Sequence, residues 1–443
     1  MRRRNNRALA LIAVLWVAVV LTVIAASVAR NCRLDSRLYT TTEGQLRCRW
    51  ACRAGLERAI AVLNEDTRAS DSLGDLWSEN EADFNDVLLQ GCRFTVRVED
   101  EAGKLNVNTA SKEQLLGLEG MTEEVAEAII DWRDKDDNPG ASGAEQAYYQ
   151  NLPYGYVIGN RPFRTIRELL AVKGVTEELL YGEDTNLNGK LDYNENDGDA
   201  SSPHDDQDGE LDRGWIAYLT CYSYDREVDS EGQDRVNINK ASQAELQRSL
   251  DLPKPYAKWI VENRKNGYKS IADLLTDNSG KAPPRDMKRN SDRAVPLDVA
   301  TFKRIADKIT VNDKKKIPGR VNVNTASKEV LAALLGGDES AEQTAQSIIS
   351  YRQTLLDGMS SVGELLDAGS ISVATFKKIV PYLTTRSDVF TVRCFAESSQ
   401  ERGPRIKLES EAVVDRSSRP CKVLYWYVGG PAYVPVRAVA EGG

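Results

Sequence analysis

Residues Ala8–Ala29 read ALALIAVLWVAVVLTVIAASVA, a run with no charged residue, and Arg2, Arg3, Arg4 and Arg7 stand in front of it. As a helix the run is about 33 Å long, enough to cross the hydrocarbon core of a bilayer. The arginines favour a cytoplasmic N-terminus, which places the chain beyond Arg30 across the membrane. Ala25-Ala26-Ser27-Val28-Ala29 offers small residues to a signal peptidase, but the apolar run is long for a cleaved signal. The apolar pattern then continues. Leu34, Leu38, Leu46, Trp50, Leu56, Ile60 and Leu63 are expected to form one stripe of the same helix. The expected fold is therefore α+β, beginning with one long helix that starts in lipid and ends against a soluble domain.

What that helix packs on is written in four alternating stretches. Phe94–Val98 lies early in the chain; Phe390–Cys394, Ile406–Ser410 and Val423–Tyr427 lie near its end. They predict a small antiparallel sheet whose first strand is separated from the others by a large insertion. Cys394 and Cys421 lie near these strands, and an oxidising exterior would allow them to pair, though sequence leaves connectivity open. Cys48 and Cys52 share a helix face and are read as packing residues, as are Cys92 and Cys221. The odd total leaves at least one thiol free or intermolecular.

The insertion repeats itself. Leu105-Asn106-Val107-Asn108-Thr109-Ala110-Ser111 recurs as Val236-Asn237-Ile238-Asn239-Lys240-Ala241-Ser242 and as Val321-Asn322-Val323-Asn324-Thr325-Ala326-Ser327. Each copy continues with an apolar helix that reaches Arg133, Arg264 or Arg352, then a second arm, Thr165–Leu170, Ser270–Leu275 or Ser361–Leu366. Ser111 with Gln114, and Ser242 with Glu245, predict capping boxes; Val330 in the third copy leaves only the Ser327 cap. The copies resemble helix-hairpin-helix (SAM-like) modules, many of which hold DNA phosphates on a glycine-rich turn. Gly120 and Gly174 sit in such turns. Pro253 and Pro255 replace the donors in the second copy, and Asp338 and Glu339 bring negative charge to the third. The region Arg235–Lys316 is locally basic, but the whole chain carries a formal charge of −9, which opposes general nucleic-acid binding.

Between the first and second copies the periodicity stops. Asp184, Asn186, Asn188, Lys190, Asp192 and Glu195 fall at positions 1, 3, 5, 7, 9 and 12 of a calcium-binding loop, with Gly189 at the sharp turn. Lys190 would offer its backbone carbonyl, Glu195 both carboxylate oxygens, and Leu191 would pack the loop down. Hard oxygen donors in uneven geometry favour Ca2+ over Mg2+. Asp205, Asp206, Asp208 and Asp212 form the centre of a weaker second loop, in which His204 and Trp215 stand where the outer ligands belong. An acidic stretch from 183 to 212 with no apolar period needs a tether to be ordered inside a compact domain. No nucleophile elbow, phosphate loop or zinc spacing accompanies it, and His204 is the sole histidine, so a structural protein is expected rather than an enzyme.

Ala10-Leu11-Ile12-Ala13-Val14-Leu15 after a short basic leader resembles the start of the K-type minor pseudopilins of type II secretion systems. Asp131-Trp132-Arg133-Asp134, Gly143-Ala144-Glu145 and Tyr148-Tyr149 resemble that family's signature ahead of its helical domain, and Arg320–Leu383 its closing segment. The resemblance implies a pilin-like fold and a cut by prepilin peptidase between Ala8 and Leu9. The family prefers Gly where this chain has Ala8. Ala13, fifth from the cut, replaces the Glu that most pilins carry, as in K-type subunits placed at the tip. The resemblance further implies an inner-membrane anchor with the bulk of the chain periplasmic, calcium-binding loops, and I- and J-type minor pseudopilins, the pseudopilus and secreted cargo as partners. The middle copy has no counterpart in the family pattern. The expected organisation is a leader (1–8), a membrane helix (9–29) and a pilin-like helix with its first strand (30–104). Three modules follow (105–234, 235–319 and 320–386), then closing strands (387–443). A membrane-anchored DNA receptor of an uptake system is the alternative.

Overall fold

The computed structural model describes residues 5–67, 69–276, 279, 292–369, 371–398 and 405–429, with side chains from residue 9 onward. Residues 1–4 of the expected leader, the side chain of Ala8, much of 277–291 in the middle copy, and 430–443 lie outside them.

Helix α1 runs unbroken over Asn5–Glu65. Every residue from Leu9 to Tyr39 is exposed, partial cover begins at Thr40, and Gly44 is the first buried residue. The buried face is Gly44, Cys48, Ala51, Cys52, Leu56, Ala59 and Leu63. The single stripe read from sequence is therefore corrected. Leu56 and Leu63 lie on the core, whereas Leu34, Leu38, Leu46 and Trp50 are 53%, 67%, 54% and 65% exposed. Six residues separate Trp50 from Leu56, and at about 100° per residue that step turns a side chain well away from the first face. The sheet-facing positions are mostly small, which lets backbone meet backbone. A Cβ at Gly55 would stand 2.7 Å from the Cys394 sulfur and 2.9 Å from Val96.

Helix α1 lies on an antiparallel sheet of five strands in chain order: β1 Val87–Leu89, β2 Cys92–Asp100, β3 Val389–Ser398, β4 Lys407–Asp415 and β5 Lys422–Val428. β2 pairs β3 with Val98 opposite Val392 and Val96 opposite Cys394, so strands far apart in sequence are neighbours and residues 101–388 are inserted between them. The three-residue β1 was not visible in the sequence pattern. Alternate residues Phe94, Val96 and Val98 of β2 face the helix together with Phe390, Val392 and Cys394 of β3. The Cys394–Cys421 pairing is not what the fold provides. β4 separates their strands; Cys394 faces Ala51 and Cys52, and Cys421 meets Asn64. The sulfurs of Cys48 and Cys92 instead approach to 3.4 Å.

The inserted copies share one set of contacts. In each, the first Asn side chain accepts from the N–H two residues on, Asn106 from Asn108, Asn237 from Asn239 and Asn322 from Asn324. The second Asn clips the second arm from both sides. Asn108 donates to the Phe163 carbonyl and accepts from its N–H; Asn239 does the same to Tyr268, and Asn324 to Met359. The arginines close the same turn on the carbonyls of Val107 and Ala110, Ile238 and Ala241, and Val323 and Ala326. Each opening segment also pairs in parallel with a two-residue bridge at its copy's end: 105–106 with 219–220, 236–237 with 309–310, and 321–322 with 383–384. Those short bridges were not foreseen, because two residues carry no period.

Within each copy two helices follow: α2 Lys112–Leu116 and α3 Glu123–Arg133, α4 Gln243–Ser249 and α5 Lys254–Asn263, α6 Lys328–Leu334 and α7 Glu339–Arg352. Capping boxes open α2 and α4, and the Ser327 hydroxyl alone caps α6, as read from sequence. The first and third copies abut: a Cβ on Gly117 would meet the Ala333 backbone at 2.7 Å.

Candidate functional site

The acidic segment 183–212 leaves the first copy after Tyr181 and returns to its starting point, where Gly182 bridges Arg213 and the Glu183 N–H reaches the Asp212 carbonyl at 3.0 Å. Its outer side rests on the open face of the sheet, with Arg97 of β2 donating to the Asn188 carbonyl at 3.1 Å.

Five of the six first-loop residues converge through their side chains. Asp184 accepts from the N–H groups of Asn188 and Gly189 at 2.9 Å each. Asp192 accepts from the amides of Asn186 at 2.8 Å and Asn188 at 2.7 Å, and Glu195 accepts from the Asp192 N–H at 3.0 Å. Lys190 is exposed and its N–H donates to the Asn188 side chain. Gly189 has φ +62°, the left-handed conformation that the tight turn demands. Leu187, not Leu191, is the loop side chain packed on the module core.

Asp184 and Glu195 are buried, 3% and 1% exposed. No lysine or arginine lies within ion-pair distance of Asp184, Asp192 or Glu195 among the described residues. Burial, with Asp192, Asp184 and Glu183 nearby, pushes the Glu195 carboxyl up to about 7. The amide hydrogens of Asn186 and Asn188 take the inward position between these carboxylates. The residue types thus fit a cation: the set is rich in hard oxygen donors and its charge is not compensated by protein. Asp184, Asn186, Asn188, Asp192 and Glu195, with the Lys190 carbonyl, would hold it, and the ion would supply the positive charge that fastens the loop.

The second loop is differently built. Asp205 is turned back on the N–H groups of Asp197 and Gly198 at 2.9 and 2.8 Å, while Asp206 and Asp208 are exposed and form local turns. Asp212 is held through its N–H by Glu183 at 3.0 Å. Glu183, buried and raised by desolvation and by Asp212, Asp205 and Asp206, is the carboxylate that faces this set. Its position ahead of the loop hid it from a reading that searched forward. Trp215 is in the core and donates to the Glu119 carbonyl, and His204 stands 3.1 Å from Asp199.

The glycine turns of the first copy face inward. Gly120 and Gly174 have φ +70° and +80°, and added Cβ atoms would meet Leu179 and Val125 respectively. The helices after them open with Glu123 and Glu124, and with Glu177 and Glu178. Acidic residues there oppose a phosphate.

A long apolar-starting helix laid on an antiparallel sheet, with helical copies inserted between two adjacent strands, defines an α+β fold. Family models described as type II secretion system (T2SS), protein K match residues 98–181 and 321–386. In these two segments the chain is similar to the type II secretion system protein K family. It is 32% identical over 197 residues to type II secretion system protein K of Pseudomonas aeruginosa, across 39% of this chain and 58% of that one. The Aeromonas hydrophila protein of the same name is 26% identical across 40% of this chain and 61% of that one. The matches thus span about three fifths of these relatives. A chain in the crystal structure of the GspK-GspI-GspJ complex from the enterotoxigenic Escherichia coli type 2 secretion system is 13% identical, covering 89% of this chain and 99% of that one, with a TM-score of 0.46.

Proposed function

We propose that the chain is a minor pseudopilin, anchored by one span in the inner membrane with its bulk in the periplasm. It sits at the tip of the pseudopilus, helps to initiate its assembly, and has a structural rather than catalytic part in moving folded cargo across the outer membrane. The observation that carries this reading is helix α1. Its first half is apolar and uncovered from Leu9 onward, and its second half is buried on the sheet without a break. A cleaved signal would have no reason to continue as the central helix of the mature domain. Prepilin peptidase would cut between Ala8 and Leu9. The exposed stripe of Leu34, Leu38, Leu46 and Trp50 suits lateral contact with I- and J-type subunits, since it faces away from the chain's own sheet. The helical copies, which resemble helix-hairpin-helix modules, serve as scaffold, and calcium in the 184–195 loop secures their junction with the sheet.

The test is the N-terminal sequence of the membrane-extracted protein made with and without prepilin peptidase. A peptidase-dependent start at Leu9 is expected. A chain that begins at Met1 in both strains, or at Arg30, removes the assignment.

A further inference from the structure

Between the apolar run and the sheet, helix α1 crosses a bare stretch, and that stretch is cationic. Arg30, Arg33 and Arg37 follow the run within eight residues, against the four arginines ahead of it. Cytoplasmic loops ordinarily hold the excess of such charge, so three arginines just past the far end of a span are out of place unless something there binds them. All three are exposed, and among the described residues none makes an ion pair. Asp35 is the one acidic residue between Leu9 and Glu43. It lies two residues from Arg33 and from Arg37, which on a helix turns it to the opposite side.

The three arginines share one face. Steps of three and four residues keep them within about 60° of one another. Eleven residues, about three turns, separate Arg33 from Gly44 and Arg37 from Cys48, so the arginines continue the side of α1 that meets the sheet. No part of the soluble domain descends to them, since even partial cover begins only at Thr40. At about 1.5 Å per residue, their α-carbons stand roughly 2, 6 and 12 Å beyond Ala29. The headgroup layer outside the hydrocarbon core is about 5–8 Å deep on each side. Helical side chains lean toward the helix N-terminus, which here is toward the bilayer, and the long arginine stem lowers its guanidinium into that layer. The anions found there are phosphodiesters, and a guanidinium binds phosphate oxygens in pairs.

We propose that Arg30, Arg33 and Arg37 bind the phosphates of anionic phospholipids in the leaflet that faces the soluble domain. The proposal rests on the reading of α1 as a membrane anchor. The stripe fixes the depth of that anchor: it ties the sheet-facing side of the helix to the bilayer surface and keeps the bare stretch from sinking into it.

The test uses the full chain reconstituted in vesicles of phosphatidylcholine and phosphatidylglycerol, with a donor dye on Cys32, which is exposed beside the stripe. A small, equal fraction of one lipid or the other carries an acceptor on its acyl chain, and a Cys32→Ser chain supplies the blank. Transfer to labelled phosphatidylglycerol is expected to exceed transfer to labelled phosphatidylcholine by about twofold or more, and the excess to shrink as salt rises. Changing all three residues, Arg30→Gln, Arg33→Gln and Arg37→Gln, should bring the two signals to equality. The corresponding lysine changes should keep most of the excess, since the positive charge remains. Equal transfer to both lipids, in a chain that still resists alkaline extraction from the vesicles, overturns the stripe, leaves the anchor standing and assigns the arginines to acidic side chains of a neighbouring subunit. An excess that the glutamine variant retains also overturns the stripe. A chain that alkaline extraction removes overturns the anchor as well.

Discussion

Two regions of the molecule bury carboxylates, and they treat them in opposite ways. Around the sheet Asp66, Asp71, Glu99 and Glu411 are answered by guanidinium groups. Arg416, 1% exposed, reaches Asp66 at 2.5 Å and pairs with the fully buried Asp71. Arg393 binds Glu99 at 2.8 Å and Glu411 at 3.2 Å; Arg167 adds a second contact to Glu411 at 2.7 Å. At the outer side of the first copy, Asp184, Glu195, Asp131 and Glu145 are buried with no such partner. A permanent cation within the chain makes the sheet region self-sufficient. The first copy builds in no such cation at these positions among the described residues.

The largest expected effect comes from making the first region resemble the second. Arg416→Met leaves Asp66 and Asp71 buried and unpaired, which costs about 3–5 kcal/mol; the urea midpoint of the full chain in detergent reads it. A loss below about 1 kcal/mol would show that the two regions do not differ in kind. Next is calcium itself. At a hundredfold excess over its dissociation constant it stabilises the states that bind it by about 2.7 kcal/mol. Hydrogen exchange should show the gain confined to 183–212, with β2 and β3 unchanged. Uniform protection of the sheet would refute the division.

Acidity separates Glu411 of the sheet from Glu195 of the loop by sign. Burial pushes the Glu411 carboxyl up, but Arg167 and Arg393 outweigh it and hold it below the ordinary glutamate value. A depressed carboxyl contributes stability that is present above the unfolded value of 4.5 and lost as pH falls through the folded one. Glu195, raised to about 7 when no metal is bound, contributes in the other direction, with stability lost as pH rises from the unfolded value through the raised one. In chelator, lowering pH from about 8 to about 5 should therefore tighten 183–212, while the Glu411 contacts keep their contribution until stronger acid removes it. Exchange free energies corrected for intrinsic rates measure both. The smallest effect is expected at Arg93–Asp86, where both side chains are more than half exposed. Asp86→Asn should leave the urea midpoint within error, since exposed pairs contribute little.

Much of this was legible in the chain before its fold was known, and the failures have physical reasons. The Asn-x-Asn copies stood out because each asparagine performs a two-sided clip that no other side chain reproduces at that length. The 184–195 loop was readable because its donors are contiguous. Glu183 was missed because it belongs to the second set from the far side of the first. The stripe on α1 was misjudged because its true contact face is made of Gly44, Cys48, Ala51 and Cys52. Such small residues score weakly as apolar, yet they bring the helix closest to the sheet.

The insertion between β2 and β3 sets a timetable for the chain's birth. At about 5–20 residues per second, roughly 15–60 s pass between synthesis of β2 and arrival of its partner β3. Through that interval the anchor and the first hairpin wait with Phe94, Val96 and Val98 lacking the strand that completes their cover, while the three copies, built from nearer contacts, can each close on their own bridges. The last strands made are thus the latch of the whole molecule, and a chain shortened before Val389 leaves the membrane helix with finished modules and an open sheet.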